Sequence, residues 1–189
     1  MKTIFLVISI LAGFTSPVIG INSILRGNFR PHRMTRFLIF LVSLLFVGTL
    51  LAQGDHNGIF IAVAQFLGSA VIFYLSLKRG LGGWATTDKI VLVMSLLTIV
   101  VWKTTSDATL ALLMSIVADV IGFSPTLVKT WKWPETEEWK FYMSDVVASF
   151  FSILSIATYG LATLAFPVYI LLINTTSVVI ILGRRRSLR

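Results

Sequence analysis

The chain has 189 residues, 56% of them hydrophobic and 13% charged, with a mean hydropathy of +0.90 and no cysteine. Disulfides, thiol catalysis and cysteine-ligated metals are therefore excluded, and apolar stretches of about 20 residues, the length that crosses a bilayer as a helix, recur too often for a soluble domain. The formal charge of +8 does not mark a nucleic-acid surface, because the basic residues sit in short loops between apolar stretches.

Seven spans are predicted in chain order. The first, Thr3–Ile21, follows Met1-Lys2 and could be read as a secretory signal peptide. Its apolar run continues to Leu25 without a convincing small-x-small site, so we read it as a retained span. It carries Gly-Phe-Thr-Ser-Pro at 13–17. The second span is Phe37–Gln53 and the third Asn57–Leu77, with Gln65 and Ser69 near its middle. The fourth, Thr87–Trp102, is the weakest, since 13 uncharged residues separate Lys89 from Lys103. The fifth, Ala108–Val128, holds Asp119 at mid-depth and repeats the earlier motif as Gly-Phe-Ser-Pro at 122–125, 108 residues after Pro17. The sixth and seventh, Phe141–Tyr159 and Thr163–Leu182, divide an uncharged run of 38 residues from Val146 to Gly183. As one helix that run would reach about 57 Å, against a core of about 30 Å, so a turn is expected at Tyr159-Gly160.

Alternate loops hold the basic residues. Of 16 Lys and Arg, 14 fall on one face: Arg26, Arg30, Arg33 and Arg36; Lys78, Arg79 and Lys89; Lys129, Lys132 and Lys140; and Arg184, Arg185, Arg186 and Arg189. Lys2 and Lys103 fall on the other. The positive-inside rule then puts the N-terminus outside and the C-terminus in the cytoplasm, most simply in a plasma (inner) membrane. Trp84, Trp131, Trp133 and Trp139 fall near the basic face and Trp102 near the other, as interfacial anchors. Both proline motifs enter loops on the same face, so their halves point the same way. Three-helix units in direct succession would be inverted, and one intervening span restores parallel orientation. The expected fold is an all-α integral membrane protein of two parallel three-helix bundles joined by a linker helix (3+1+3): 1–80 the first repeat, 81–106 the linker with the fourth span, 107–189 the second repeat with a basic tail. Duplicated bundles are a common plan for transporters, with the solute between the halves.

With the segments Ser16-Pro17 to Arg26 and Ser124-Pro125 to Pro134, each a Pro near the end of a span followed by a basic stretch, this arrangement resembles the SWEET and PQ-loop transporter superfamily. The resemblance covers nearly the whole chain as architecture. It departs in three respects: Val18 and Thr126 stand where the name-giving glutamine would be, the second and sixth spans lack proline, and the pocket tryptophans of the sugar transporters have no counterpart mid-span. It implies transport by alternating access, with an amide on the third and seventh helices facing the solute. Asn174 matches in kind and helix, and Gln65 is offset and differs in type.

The candidate site residues each have a plainer alternative. Pro17 and Pro125 leave the carbonyls of Gly13 and Ile121 without a helical N–H, which suits either a gate hinge or a simple bend. An acid at bilayer depth is costly and must face the interior, so Asp119 is a candidate for proton coupling or solute binding, or else a structural bond to a neighbouring helix. Asp145, Ser149, Ser152 and Tyr159 follow helical spacing and share one face. They could border a pathway, although Asp145 could be a hydrated helix-start acid or a partner of Lys140, and serines often pack helices. Asn174 and Gln65 each offer a donor and an acceptor for a polyhydroxyl or zwitterionic solute, or for interhelical bonds. Glu135, Glu137 and Glu138 read as a solvated run. His32 and His56 lie on opposite faces, and no phosphate loop, nucleophile–base set or metal spacing appears, so neither an enzyme nor a cofactor is expected. The expected partners are a small polar solute, the lipid bilayer and protons, with self-association left open and nucleic acid excluded. A seven-helix membrane receptor or assembly factor is the rival, since KDEL receptors resemble the same bundle and bind peptide termini.

Overall fold

A computed structural model describes residues 1–54, 58–82 and 86–187. His56, Trp84, Arg189 and the expected start of the third span at Asn57 lie outside them. Every predicted span corresponds to a helix: α1 (Lys2–Leu25), α2 (Arg33–Gln53), α3 (Gly58–Arg79), α4 (Thr86–Thr105), α5 (Ala108–Lys132), α6 (Trp139–Ser155) and α7 (Leu161–Ser187), with a single 3₁₀ turn at Pro134–Thr136 before α6. Five of them, α1, α2, α3, α5 and α7, are long and apolar enough to cross a membrane, which makes this an integral membrane protein. The apolar part of α4, Leu92–Thr105, is shorter. At 17 residues α6 reaches about 25 Å. The uncharged run breaks between Ser155 and Leu161, so Tyr159 lies in the turn, is exposed, and drops out of the stripe expected on the sixth span.

Six helices close a ring in the order α1–α3–α2–α5–α7–α6 and back to α1, while α4 lies outside against α5 and α2. Small residues draw the ring tight. Ser9, Gly13, Ser16, Gly20 and Ser23 are all buried along one face of α1, at alternating steps of four and three. Such a seam lets backbones approach closely where lipid offers no hydrophobic drive to association. Its hydroxyls also bond across to α6 or the loop before it: Ser9 donates to the Ala148 carbonyl (2.8 Å), Ser16 to that of Phe141 (3.1 Å) and Ser23 to Glu138 Oε2 (3.0 Å). These pairs run in opposite chain directions, so α1 and α6 are antiparallel. On its other side α1 runs parallel to α3, with Gly13 beside Ala64, Pro17 against Gly68 and Gly20 against Ile72.

The same reading orients the rest. Phe40 stacks on Phe66 and Phe37 packs on Phe73, so α2 is antiparallel to α3. Tyr169 meets Asp119 and Arg184 meets Trp131, so α7 is parallel to α5. The ends of α1, α3, α5 and α7 and the starts of α2 and α6 thus gather at one end of the bundle with most of the described basic residues, here called the basic end. The N-terminus sits at the other end, where Lys2 donates to the Ala157 carbonyl (3.3 Å).

Both α1 and α5 continue through their prolines. In α5 the Ser124 hydroxyl donates to the Ile121 carbonyl (2.7 Å) that Pro125 leaves without an amide partner. Pro17 instead seats on Gly68. A Cβ at Gly68 would lie 2.3 Å from Pro17 Cβ, whereas one at Gly13 would meet nothing closer than 3.8 Å. We predict that Gly68→Ala forces α1 and α3 apart and costs about 1–3 kcal/mol, read as a lower melting temperature in detergent, with Gly13→Ala near neutral. Equal stability of the two variants would contradict this direct seat.

Candidate functional site

A cavity of about 70 Å³, room for a few waters, lies inside the ring toward the basic end. All six ring helices line it, and none of the described residues of α4 does: Ser16 and Pro17 come from α1, Arg36 from α2, Gln65 and Ser69 from α3, Asp119 from α5, Asp145 from α6 and Asn174 from α7. Along the bundle axis it is flanked by apolar packing on both sides. Away from the basic end stand Phe46, Leu50, Ile61, Leu112, Phe166 and Tyr169, with the Phe46 and Phe166 rings 4.7 Å apart. Toward the basic end stand Ile24, Phe29, Ile72, Phe123, Phe141 and Val178.

Of the residues expected from sequence, Asp119, Asn174, Gln65 and Pro17 border this one cavity. Asp119 is buried and its Oδ2 accepts a hydrogen bond from the Tyr169 hydroxyl. Asn174 donates one amide hydrogen to the Ile170 carbonyl in its own helix (2.9 Å); its amide has a further N–H and an acceptor oxygen. Pro125 does not reach the cavity. Neither do Ser149 and Ser152. They lie one and two turns beyond Asp145, where α1 packs against α6. The Ser149 hydroxyl donates to the Asp145 carbonyl, and Ser152 Oγ is buried without a partner among the described residues. Asp145 is itself not a hydrated helix-start acid: it is 4% exposed, lines the cavity, and its Oδ1 has no partner among the described residues.

Sequence reasoning placed Arg36 in a loop as a topology charge. His32 caps α2, its ring nitrogen accepting from the Thr35 amide (3.4 Å), so the helix begins a turn earlier than hydropathy suggests and carries Arg36 inward. The guanidinium is 4% exposed, lies 5.2 Å from the Phe29 ring centre and 5.6 Å from that of Phe141, and its Nε has no partner among the described residues. An arginine in the first turn of a helix opposes the helix dipole, a mismatch that shows only once the helix is seen to start at Arg33. Asp119, Asp145 and Tyr142 supply the nearby electrostatic partners.

The basic end is closed by a second polar group that the sequence disguised. Glu137, expected in a solvated run, is 1% exposed. Its carboxylate pairs with Lys129 (2.8 Å) and accepts from the Tyr142 hydroxyl (2.7 Å). Lys129 also donates to the Arg30 carbonyl, while the Arg30 amide donates to the Thr136 carbonyl (3.2 Å). The α1–α2 and α5–α6 loops are therefore stitched together over the cavity. Arg185 adds a bond to the Pro134 carbonyl (3.1 Å). Removing one partner of a buried pair leaves a bare charge, so we predict that Glu137→Gln costs about 3–5 kcal/mol. Glu137→Gln combined with Lys129→Met should recover part of the loss, both read as melting temperatures; a neutral single variant would show the pair to be dispensable.

No protein-family model, curated protein or solved structure matches this chain.

Proposed function

We propose that this protein is a small-solute transporter, carrying a sugar-like or zwitterionic solute by alternating access in a plasma (inner) membrane. Its halves are the three-helix units before and after α4 in a 3+1+3 plan, N-terminus outside and C-terminus in the cytoplasm. The observation that carries this reading is the cavity walled by all six ring helices and, among the described residues, by none of α4. The ring supports the duplication as well. Replacing α1, α2 and α3 by α5, α6 and α7, and the reverse, maps the order of contacts onto itself: α1–α3 becomes α5–α7, and α1–α6 becomes α5–α2. Two like units meeting around a polar cavity can rock about it, exposing it to each side in turn. Apolar packing on both sides of the cavity suits an occluded form of that cycle.

In this reading Asp119, Asn174 and Gln65 face the solute, and Pro17 on Gly68 is a hinge on the basic, cytoplasmic side. Pro125, away from the cavity and with its freed carbonyl satisfied by Ser124, would act only as a bend in α5. A receptor or assembly factor is the second reading, and Arg36 beside two carboxylates gives it the charged pocket that a peptide terminus requires. Against it stands the size of the cavity, about 70 Å³, which is small for a peptide terminus.

An untargeted uptake screen with the purified protein in liposomes tests the proposal, and a protein that moves no solute in either direction would refute transport. For proton coupling, we predict that Asp119→Asn abolishes accumulation driven by a pH gradient while solute exchange survives; equal loss of both would count against it.

A further inference from the structure

Arg36 and Asp145 are each buried in the cavity wall, on α2 and α6, and each leaves a polar atom without a partner among the described residues: Nε of the guanidinium and Oδ1 of the carboxylate. They do not satisfy each other. Lys129–Glu137 is the salt bridge found among the described residues, so Arg36 and Asp145 stand further apart than ion-pair contact while both line the same cavity. Buried charges with open valences are costly unless something fills them. From this we infer that the solute is a compact zwitterion, its carboxylate received by Arg36 and its ammonium by Asp145. The inference rests on the transport reading and narrows its solute to one class.

The alternatives fail on the same atoms. A neutral polyol would leave the guanidinium and the Asp145 carboxylate without an ion in direct contact. A simple anion would satisfy the guanidinium and face two carboxylates, Asp119 and Asp145. A simple cation would satisfy an acid and be repelled by Arg36. A zwitterion meets both poles at once, and its remaining atoms can use the amides of Asn174 and Gln65. Asp119, already engaged by Tyr169, is left outside the clamp. The planar guanidinium presents parallel N–H groups that match a carboxylate in a way an ammonium cannot. The cavity volume limits the solute to a small one.

The test uses the full-length protein in liposomes, with glycine, alanine and β-alanine as zwitterionic probes. Acetate, methylamine and glycerol are the single-charge and neutral controls. Uptake of at least one zwitterion should exceed all three controls by at least about tenfold, and the same compound should raise the melting temperature of the purified protein. Arg36→Lys, which keeps the charge but loses the planar fork, and Asp145→Asn should each weaken half-saturation by about tenfold or more. Glycerol transported as well as or better than the zwitterions, or no zwitterion binding while the untargeted screen finds another solute, overturns the zwitterion clamp and leaves transport standing. A zwitterion that raises the melting temperature but never crosses the bilayer upholds the clamp and overturns transport.

Discussion

Charge placed where lipid would surround it is the constraint that organises this molecule. Arg36 and Asp119 project from helices long and apolar enough to cross a bilayer, and Asp145 from the shorter α6 packed between α1 and α7; none of the three could face hydrocarbon cheaply. Each is turned inward, and the cavity they border is lined by six helices. The position of α4 follows from the same requirement. None of its described residues lines the cavity, and it packs on the outside of the ring, its buried Ser95 and Thr98 included.

Enclosing those charges requires helices that approach closely, and the small residues of α1 supply that. Each serine along the seam does two things: it lets α6 come near, and it spends its hydroxyl on a carbonyl or carboxylate there. At the basic end the closure is ionic. Lys129, Glu137 and the Arg30 backbone bind together two loops that precede different helices, so one buried pair holds both sides of the ring. The duplicated proline motif does not behave as a duplicate in this setting. Ser16 bonds α6 and Pro17 borders the cavity, whereas Ser124 satisfies its own helix and Pro125 stays outside. Matching segments have acquired unequal neighbours.

The polar residues legible from sequence were those that interrupt an apolar run. Asp119, Asn174 and Gln65 stood out because their surroundings make them anomalous, and the same anomaly forces them inward. Arg36, Lys129 and Glu137 were illegible for the opposite reason. They border loops, where charge is ordinary, and nothing local separates a topology charge from a buried one. The His32 cap moves the start of α2 by one turn, and that turn carries Arg36 from loop to cavity. Tyr159 erred in the other direction: its spacing fitted a stripe, but the helix had already ended at Ser155.

The sequence alone determined how many helices form and roughly where each breaks, because span length and loop charge are local properties that the bilayer reads directly. Only the tertiary structure decided which faces meet and which charges share a cavity. Those outcomes depend on contacts between segments far apart in the chain, such as Ser9 with Ala148 or Pro17 with Gly68. Close packing selects these contacts by shape, and no periodicity within either helix encodes the partner.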